Sequence, residues 1–168
     1  PVDQPAALKT TAAPKARTQA TAGGGKIEYL LRFPKPDNHY VEIEAKFPTT
    51  VRAGLEVMLP VWTPGSYLVR EYARHVENMS ARGERGRRVT VKKTTKNRWK
   101  IDAAAGEEIT LSYRVYCREM TVRTNWVDSD FAVISPAATF ITVAEDGFNR
   151  EHEVAIELPG IWRGAHTG

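Results

Sequence analysis

The histidines are the first candidates for metal or acid–base chemistry in this chain, which contains His39, His75, His152 and His166. A zinc-binding His-Glu-x-x-His motif needs two imidazoles one helical turn apart, with the glutamate placed as a general base. His152-Glu153 supplies the first half, but Ile156 stands where the second histidine belongs. The alternation of Val154, Ile156 and Leu158 instead predicts a strand. We therefore expect His152 to be a solvent-facing strand residue and no metal site in this chain.

Other catalytic constellations are equally hard to find. No Ser-His-Asp order, glycine-rich phosphate loop or paired carboxylate cluster stands out. The single Cys117 excludes an intramolecular disulfide, and its place in a strand pattern predicts a small core side chain. The chain alone is predicted to have no catalytic residue.

The segment 62–75 combines aromatic and charged side chains with strong turn signals. Pro64-Gly65 favours a tight turn, because proline fixes φ and glycine accepts positive φ. Ser66 is suited to cap a helix. Apolar side chains then recur at helical spacing at Leu68, Tyr72, Val76 and Met79. We predict a short helix that begins at Tyr67, with the charged side chains of Arg70, Arg74 and Glu77 on its other side.

The elements that must hold these residues are mostly strands. Short β-type runs separated by Pro, Gly, Asn or Asp occur at residues 26–33, 39–47, 55–59, 88–93, 97–102, 107–116, 139–143 and 152–158. Alternating apolar and polar residues at 41–44 and 109–115 indicate sheets with one buried and one wet face. The pattern predicts an all-β fold, an antiparallel sandwich or saddle of about eight strands with one short α-helix.

Length and composition indicate one domain preceded by a leader. The chain has 168 residues, of which 42% are hydrophobic and 26% charged, and no run approaches the ~20 apolar residues of a membrane helix. Residues 1–25 are rich in Pro, Ala, Thr, Lys and Gly and contain no aromatic residue, so we predict a disordered leader there and the β-domain at 26–168. Such leaders often follow a cleaved export signal, which favours a periplasmic or secreted location over a cytoplasmic one.

Positive charge is concentrated between residues 82 and 100. Nine Lys or Arg stand against Glu84, a local balance of +8 in a chain whose net charge is +4, so the remainder carries −4. With Trp99, such a hairpin could track phosphates and stack a base of a nucleic acid. The charges also alternate with apolar residues, as in a half-buried hairpin whose lysines protect a sheet edge. We favour the second interpretation and expect no nucleic-acid partner.

The tryptophans suggest another class of function. A free-standing β-sandwich that binds carbohydrate or peptide would need an exposed aromatic platform, for which the candidates are Trp62, Trp99, Trp126 and Trp162. Tryptophan in a small β-domain is more often part of the core or its edge. An exposed, coplanar set would favour the binding module.

Three groups of residues carry a family resemblance. They are residues 59–67 (LPVWTPGSY) followed by 70–74 (REYAR), residues 113–116 (YRVY) with 122–128 (VRTNWVD), and residues 158–162 (LPGIW) with the final TG. In this order, over residues 26–168, the chain resembles the N-terminal domain of the M61 peptidases, the glycyl aminopeptidase family. The resemblance implies a β-rich domain similar to the saddle domain of larger zinc aminopeptidases. It also implies that the zinc motif lies in a following catalytic domain, absent from this chain.

The resemblance suggests what the domain does and which residues take part. It implies a non-catalytic domain that docks on the catalytic domain of the same polypeptide and forms part of the peptide substrate cleft. Asp128 and Asp130 are candidates to hold the peptide ammonium, and Arg70 and Arg74 to hold a carboxylate or a partner-domain acid. The remaining substrate-binding candidates are Tyr67, Tyr72, Arg123 and Asn125. The structural alternatives are loop shaping for the aspartates, a solvated helix face or interdomain ion pairs for Arg70 and Arg74, bracing of the loop for Arg123, and core packing for Tyr72.

Overall fold

The computed structural model describes residues 25–48 and 52–167. The predicted leader at residues 1–25 therefore lies outside the described residues except for Gly25. Within the described part of the chain, twelve strands account for most of the regular structure. No described helix has the length and apolar character needed to span a membrane.

The first seven strands are β1 Ile27–Arg32, β2 Tyr40–Phe47, β3 Leu55–Met58, β4 Val76–Arg82, β5 Arg88–Val89, β6 Val91–Thr95 and β7 Arg98–Ile101. The other five are β8 Ile109–Tyr116, β9 Trp126–Val127, β10 Ala132–Val133, β11 Thr142–Val143 and β12 His152–Glu157. One α-helix, α1, spans Pro136–Thr139, and 3₁₀ turns lie at Pro36–Asn38, Tyr72–His75, Glu84–Gly86 and Gly147–Asn149.

The larger sheet has six strands in the order β12-β1-β2-β8-β4-β5. Neighbours are antiparallel except for β12, which adds to β1 in parallel. The β2–β8 pairing runs over eight residue pairs, from Tyr40 opposite Tyr116 to Phe47 opposite Ile109. Buried and exposed positions alternate along both strands, as the sequence pattern predicts, so one face of this sheet supplies the core.

The smaller sheet, in the order β11-β3-β7-β6, shares that core, and β9 and β10 form a separate hairpin. Two buried tyrosines from the large sheet hold the end of α1 and the residue before β11. The Tyr113 hydroxyl donates to the carbonyl of Thr139, the last residue of α1, at 2.9 Å, and the Tyr29 hydroxyl donates to that of Ile141 at 3.0 Å. The predicted all-β fold is confirmed.

All eight predicted strand regions contain strands, but the run at 88–93 is two strands. Val89 pairs with β4 in the large sheet, whereas Val91 pairs with β7 in the small one. The chain therefore crosses between sheets at Thr90. The composition of a continuous β-type run does not show such a crossing, because both halves have the same local preference.

The predicted helix from Tyr67 is wrong in place. Tyr72–His75 forms one 3₁₀ turn, and the following residues are strand β4. The Ser66 hydroxyl accepts from Leu68 N–H at 3.4 Å in a local turn, and Arg70 N–H donates to the carbonyl of Val61 at 2.7 Å, which closes the loop. Pairing of β4 with β8 outweighs the helical spacing, with an irregularity after Glu77. The observed short α-helix is Pro136–Thr139.

Glu107 joins the loop before β8 to the β4–β5 connection. Its carboxylate is buried and accepts from Ala104 N–H at 2.9 Å, Glu84 N–H at 3.2 Å and the Arg87 guanidinium at 2.7 Å. A Cβ on Gly83 would overlap Glu107 Oε1, so any larger residue there would displace this carboxylate from its partners. These hydrogen bonds hold the pKa of Glu107 below its usual range, and the bond from Ala104 N–H has the largest effect.

We predict that Glu107→Gln lowers the free energy of unfolding at pH 7. The NH₂ group of the glutamine side chain would face N–H donors that now bind a carboxylate oxygen. A group with a lowered folded pKa contributes stability above its unfolded pKa of about 4.3 and loses it as pH falls through the folded value. The difference between wild type and variant should therefore shrink below about pH 4. Urea unfolding at pH 7 and pH 3 measures this, with Glu108→Gln, an exposed neighbour, as the control. The same pH dependence in both variants would contradict the prediction.

Candidate functional site

The candidate site lies where β4 begins and β8 ends. The two strands are antiparallel neighbours with Val76 opposite Val115, so the residues before β4 and those after β8 meet at one edge of the sheet. One recess of about 240 Å³ is lined by Tyr72, His75, Tyr116, Arg118, Glu119, Thr124, Asn125 and Ala138. An adjoining recess of about 330 Å³ is lined by Val69, Arg70, Glu71, Tyr72, Arg74, His75, Glu119 and Thr124. We call the pair the Tyr72 recesses.

An ion pair ties the two sides of these recesses together. Arg74 Nη2 donates to Glu119 Oε1 at 2.7 Å, and Arg74 Nε donates to His75 Nε2 at 2.9 Å. Burial, with the nearby Arg74 charge, lowers the pKa of His75. The ring therefore stays neutral at pH 7 and accepts through Nε2, which places its proton on Nδ1.

Tyr72 and Arg70 bring polar atoms into this region without protein partners. Tyr72 is 3% exposed, and its hydroxyl has no hydrogen-bond partner among the described residues. The same holds for the buried Nε of Arg70 and the buried hydroxyl of Thr63. Both Tyr72 and Arg70 line the larger recess.

Asp128 shapes a loop. Its Oδ1 accepts from Ser129 N–H at 2.8 Å, and its Oδ2 from Arg118 at 3.0 Å. The hydrogen bond from Ser129 N–H, with a smaller effect from Arg118, holds the pKa of Asp128 below its usual range. Arg118 also stacks on the ring of Trp126 at 4.6 Å. Asp130 is exposed in the same loop and has no polar contact within the described residues, so the two aspartates differ in their freedom to bind a ligand.

Asn125 is 5% exposed and holds α1 against the loop after β8. Its Oδ1 accepts from Ser135 N–H at 2.7 Å and from the Thr139 hydroxyl at 3.2 Å, while its Nδ2 donates to the carbonyl of Ala138 at 3.4 Å. All three bonds lie inside the protein, so the amide orients the wall of the recess.

The structure brings together only part of the predicted set. Arg70, Tyr72 and Asn125 line the Tyr72 recesses, and Arg123 precedes the lining residue Thr124. Asp128 is connected to them through Arg118, whereas Tyr67 is fully exposed on the neighbouring loop. Prediction from sequence missed His75, Arg118 and Glu119 as lining residues. The pairing of β4 with β8 brings these residues together, but the start of β4 falls within the predicted helix, so this pairing is not predicted from the sequence.

The basic residues between 82 and 100 are largely paired or spread along sheet edges. Arg87 pairs with Glu107, Lys96 with Glu71 and Arg98 with Glu56. Strand β6 is an edge of the small sheet, and its lysines are exposed. Trp99 is buried, so its ring is not available to stack a base. These findings favour the edge-protection interpretation over nucleic-acid binding.

His152 lies in strand β12 as predicted. Its Nε2 is 3.3 Å from the Thr142 hydroxyl and its ring meets Tyr29 edge-on, while burial lowers its pKa. Among residues 25–48 and 52–167, no three His, Cys, Asp or Glu side chains are grouped to hold a metal ion. The residues around His152 do not fit a zinc ion.

Cys117 is buried, which raises the pKa of its thiol to about 12.

Comparison with known proteins identifies the family. Residues 28–167 match the model of the Peptidase M61 N-terminal domain. The chain belongs to this family. The M61 N-terminal domain described here also resembles the crystal structure of an aminopeptidase N family protein from Idiomarina loihiensis, with 25% sequence identity and a TM-score of 0.73. That alignment covers 80% of this chain and 22% of the other.

Two structures of an M1 zinc metallopeptidase variant from Deinococcus radiodurans also match. The first has 14% sequence identity and a TM-score of 0.36, and its alignment covers 56% of this chain and 20% of the other. The second, bound to a Tyr-Ser-Ala substrate, has 13% sequence identity and a TM-score of 0.37, and its alignment covers 59% of this chain and 21% of the other. The chain thus spans about a fifth of the length of each solved protein. No curated protein matches it.

We predict that Asn125→Ala lowers the free energy of unfolding by about 1–3 kcal/mol, because the buried Ser135 N–H and Thr139 hydroxyl lose their acceptor. Urea unfolding measures the loss. Arg123→Ala, two residues away and partly exposed, serves as the control and should change little. Equal effects of the two substitutions would show that the Asn125 bonds do not hold α1 in place.

Proposed function

We propose that this M61 N-terminal domain is a non-catalytic module that docks on a zinc-dependent catalytic domain of the same polypeptide and forms part of its peptide substrate cleft. The observation that carries the proposal is the apolar surface of the 62–70 loop. Trp62 is 53% exposed, Leu68 61% and Val69 76%, and Tyr67 is fully exposed. Adjacent apolar side chains exposed in this way are typical of surfaces that bind another protein or domain.

Three hydrogen bonds within residues 61–70 support the shape of the 62–70 loop. Ser66 N–H donates to the carbonyl of Thr63 at 3.1 Å, and Trp62 Nε1 donates to the carbonyl of Ser66. The bond from Arg70 N–H to Val61 closes the base of the loop. A surface ordered before contact loses less conformational entropy on binding, which favours docking.

The catalytic domain is proposed to supply the metal. The M61 resemblance implies a zinc peptidase, and the ion would be held by ligands outside this domain. This domain would contribute shape and charge: the Tyr72 recesses beside the 62–70 loop, and the exposed carboxylate of Asp130. Binding sites at domain junctions commonly divide orientation and chemistry between the two sides in this way. The composition of residues 1–25 supports, as a further proposal, a periplasmic or secreted location.

The proposal is tested by aminopeptidase activity on a glycyl reporter peptide with added zinc. We expect activity in a longer protein that includes the following domain and none in this chain. Replacing Tyr67, Leu68 and Val69 together by serine should reduce that activity at least tenfold, because the docking surface would become polar. Phe148→Ser, which alters an exposed apolar residue of another turn, is the control. Full activity of the triple variant would contradict docking through this loop, and activity of this chain alone would overturn its non-catalytic role.

We predict that substitutions of Asp128 and Asp130 affect different quantities. In the longer protein, Asp130→Asn should raise KM for peptides with little change in kcat, because a free carboxylate that anchors the ammonium acts equally in ground and transition states. Asp128→Asn should mainly lower the Tm, because it breaks the pair with Arg118. Steady-state kinetics and thermal unfolding of both variants distinguish the roles. Unchanged KM in Asp130→Asn would remove this residue from the cleft.

A further inference from the structure

Unpaired buried polar atoms are concentrated in one segment of the domain. Within the described residues, four buried side-chain nitrogen or oxygen atoms lack a hydrogen-bond partner, and three of them belong to Thr63, Arg70 and Tyr72. Buried polar groups in native proteins are nearly always paired, because an unmade hydrogen bond leaves the cost of desolvation uncompensated. Three such atoms in ten residues indicate that this segment meets a polar group from outside the domain.

The unpaired atoms define the chemistry of the missing partner. Arg70 Nε can only donate, and the Tyr72 hydroxyl is able to donate. Other charges that line the larger recess are already paired, Arg74 with Glu119 and Glu71 with Lys96. Within the described residues no acid pairs with Arg70. A group that accepts hydrogen bonds and carries one negative charge fits this recess, which is the description of a carboxylate.

We propose that Arg70 and Tyr72 form a receptor for the side-chain carboxylate of an Asp or Glu on the catalytic domain. The proposal rests on the docking described above and names the contact that fixes it. Val69 belongs both to the exposed surface of the 62–70 loop and to the wall of the recess, so a domain that covers the loop also reaches Arg70. The apolar loop supplies contact area, and the carboxylate sets the orientation of the two domains.

Hydrogen exchange at the backbone amides of Tyr67, Leu68 and Val69 tests the receptor, because these amides become protected only when the loop is covered. We compare this chain with the longer protein. Exchange should be slower in the longer protein, and Tyr72→Phe and Arg70→Met should each speed it about tenfold there, the effect of losing one hydrogen bond to a charged group. In this chain alone Tyr72→Phe should leave exchange unchanged and should not lower the urea midpoint, because the hydroxyl it removes has no partner. Arg88→Met, an exposed residue of edge strand β5, is the control.

Acidification provides a second readout. A carboxylate beside Arg70 has a lowered pKa, so its contribution to docking is present at neutral pH and is lost as pH falls through that value. After correction for intrinsic exchange, protection in the wild-type longer protein should therefore decline on acidification, and the decline should be smaller in Arg70→Met.

The outcomes separate this inference from the proposed function. If the longer protein exchanges as fast as this chain, both docking and the receptor are wrong. If it is protected and both variants keep full protection, docking stands and the receptor is wrong. If a millimolar glycyl peptide protects the loop of this chain in an Arg70-dependent manner, the carboxylate comes from a peptide and the interdomain receptor is overturned.

Discussion

The pairing of β4 with β8 is the constraint on which the site depends. By setting Val76 opposite Val115, it brings the 3₁₀ turn Tyr72–His75 against the residues that follow Tyr116. The Arg74–Glu119 ion pair, separated by 45 residues in sequence, forms only because these strands are neighbours. The same pairing fixes one end of the 62–70 loop, while the bond from Arg70 N–H to Val61 fixes its base. The proposed docking surface is therefore connected to the large sheet through the 3₁₀ turn Tyr72–His75, which directly precedes β4.

Alternation of apolar and polar residues was enough to predict the fold class and eight strand regions, because one face of each sheet is buried and the other is wet. The same kind of evidence failed at residues 67–79. There the spacing of Leu68, Tyr72 and Val76 fits a helix, but β4 gains a ladder of hydrogen bonds from β8, whose paired residues lie 28 to 39 positions away in sequence. Local patterns do not contain that information. The crossing at Thr90 was hidden for the same reason.

The candidate site was predictable in residue types and only partly in arrangement. Arg70, Tyr72 and Asn125 were identified from the motifs and do line the recesses, yet each has a different role: an unpaired cation, a buried unpaired hydroxyl and a loop-to-helix brace. Which charges remain free depends on long-range ion pairs such as Arg118–Asp128 and Lys96–Glu71. Composition counts charges, whereas the tertiary structure decides which of them cancel. Arg70 stands out only after that cancellation.

The parallel addition of β12 to β1 also has a consequence for biosynthesis. The strand that flanks β1 is separated from it by about 120 residues, and Lys26–Glu153 and Arg32–Glu157 join the same two strands. Until residue 157 has left the ribosome, β1 is an unprotected edge with its backbone groups free to pair with another chain. Such long-range contacts form late and fold slowly. The nascent domain therefore passes through an interval in which most of its sequence is available but its sheet is open, which is when a chaperone would be of most use.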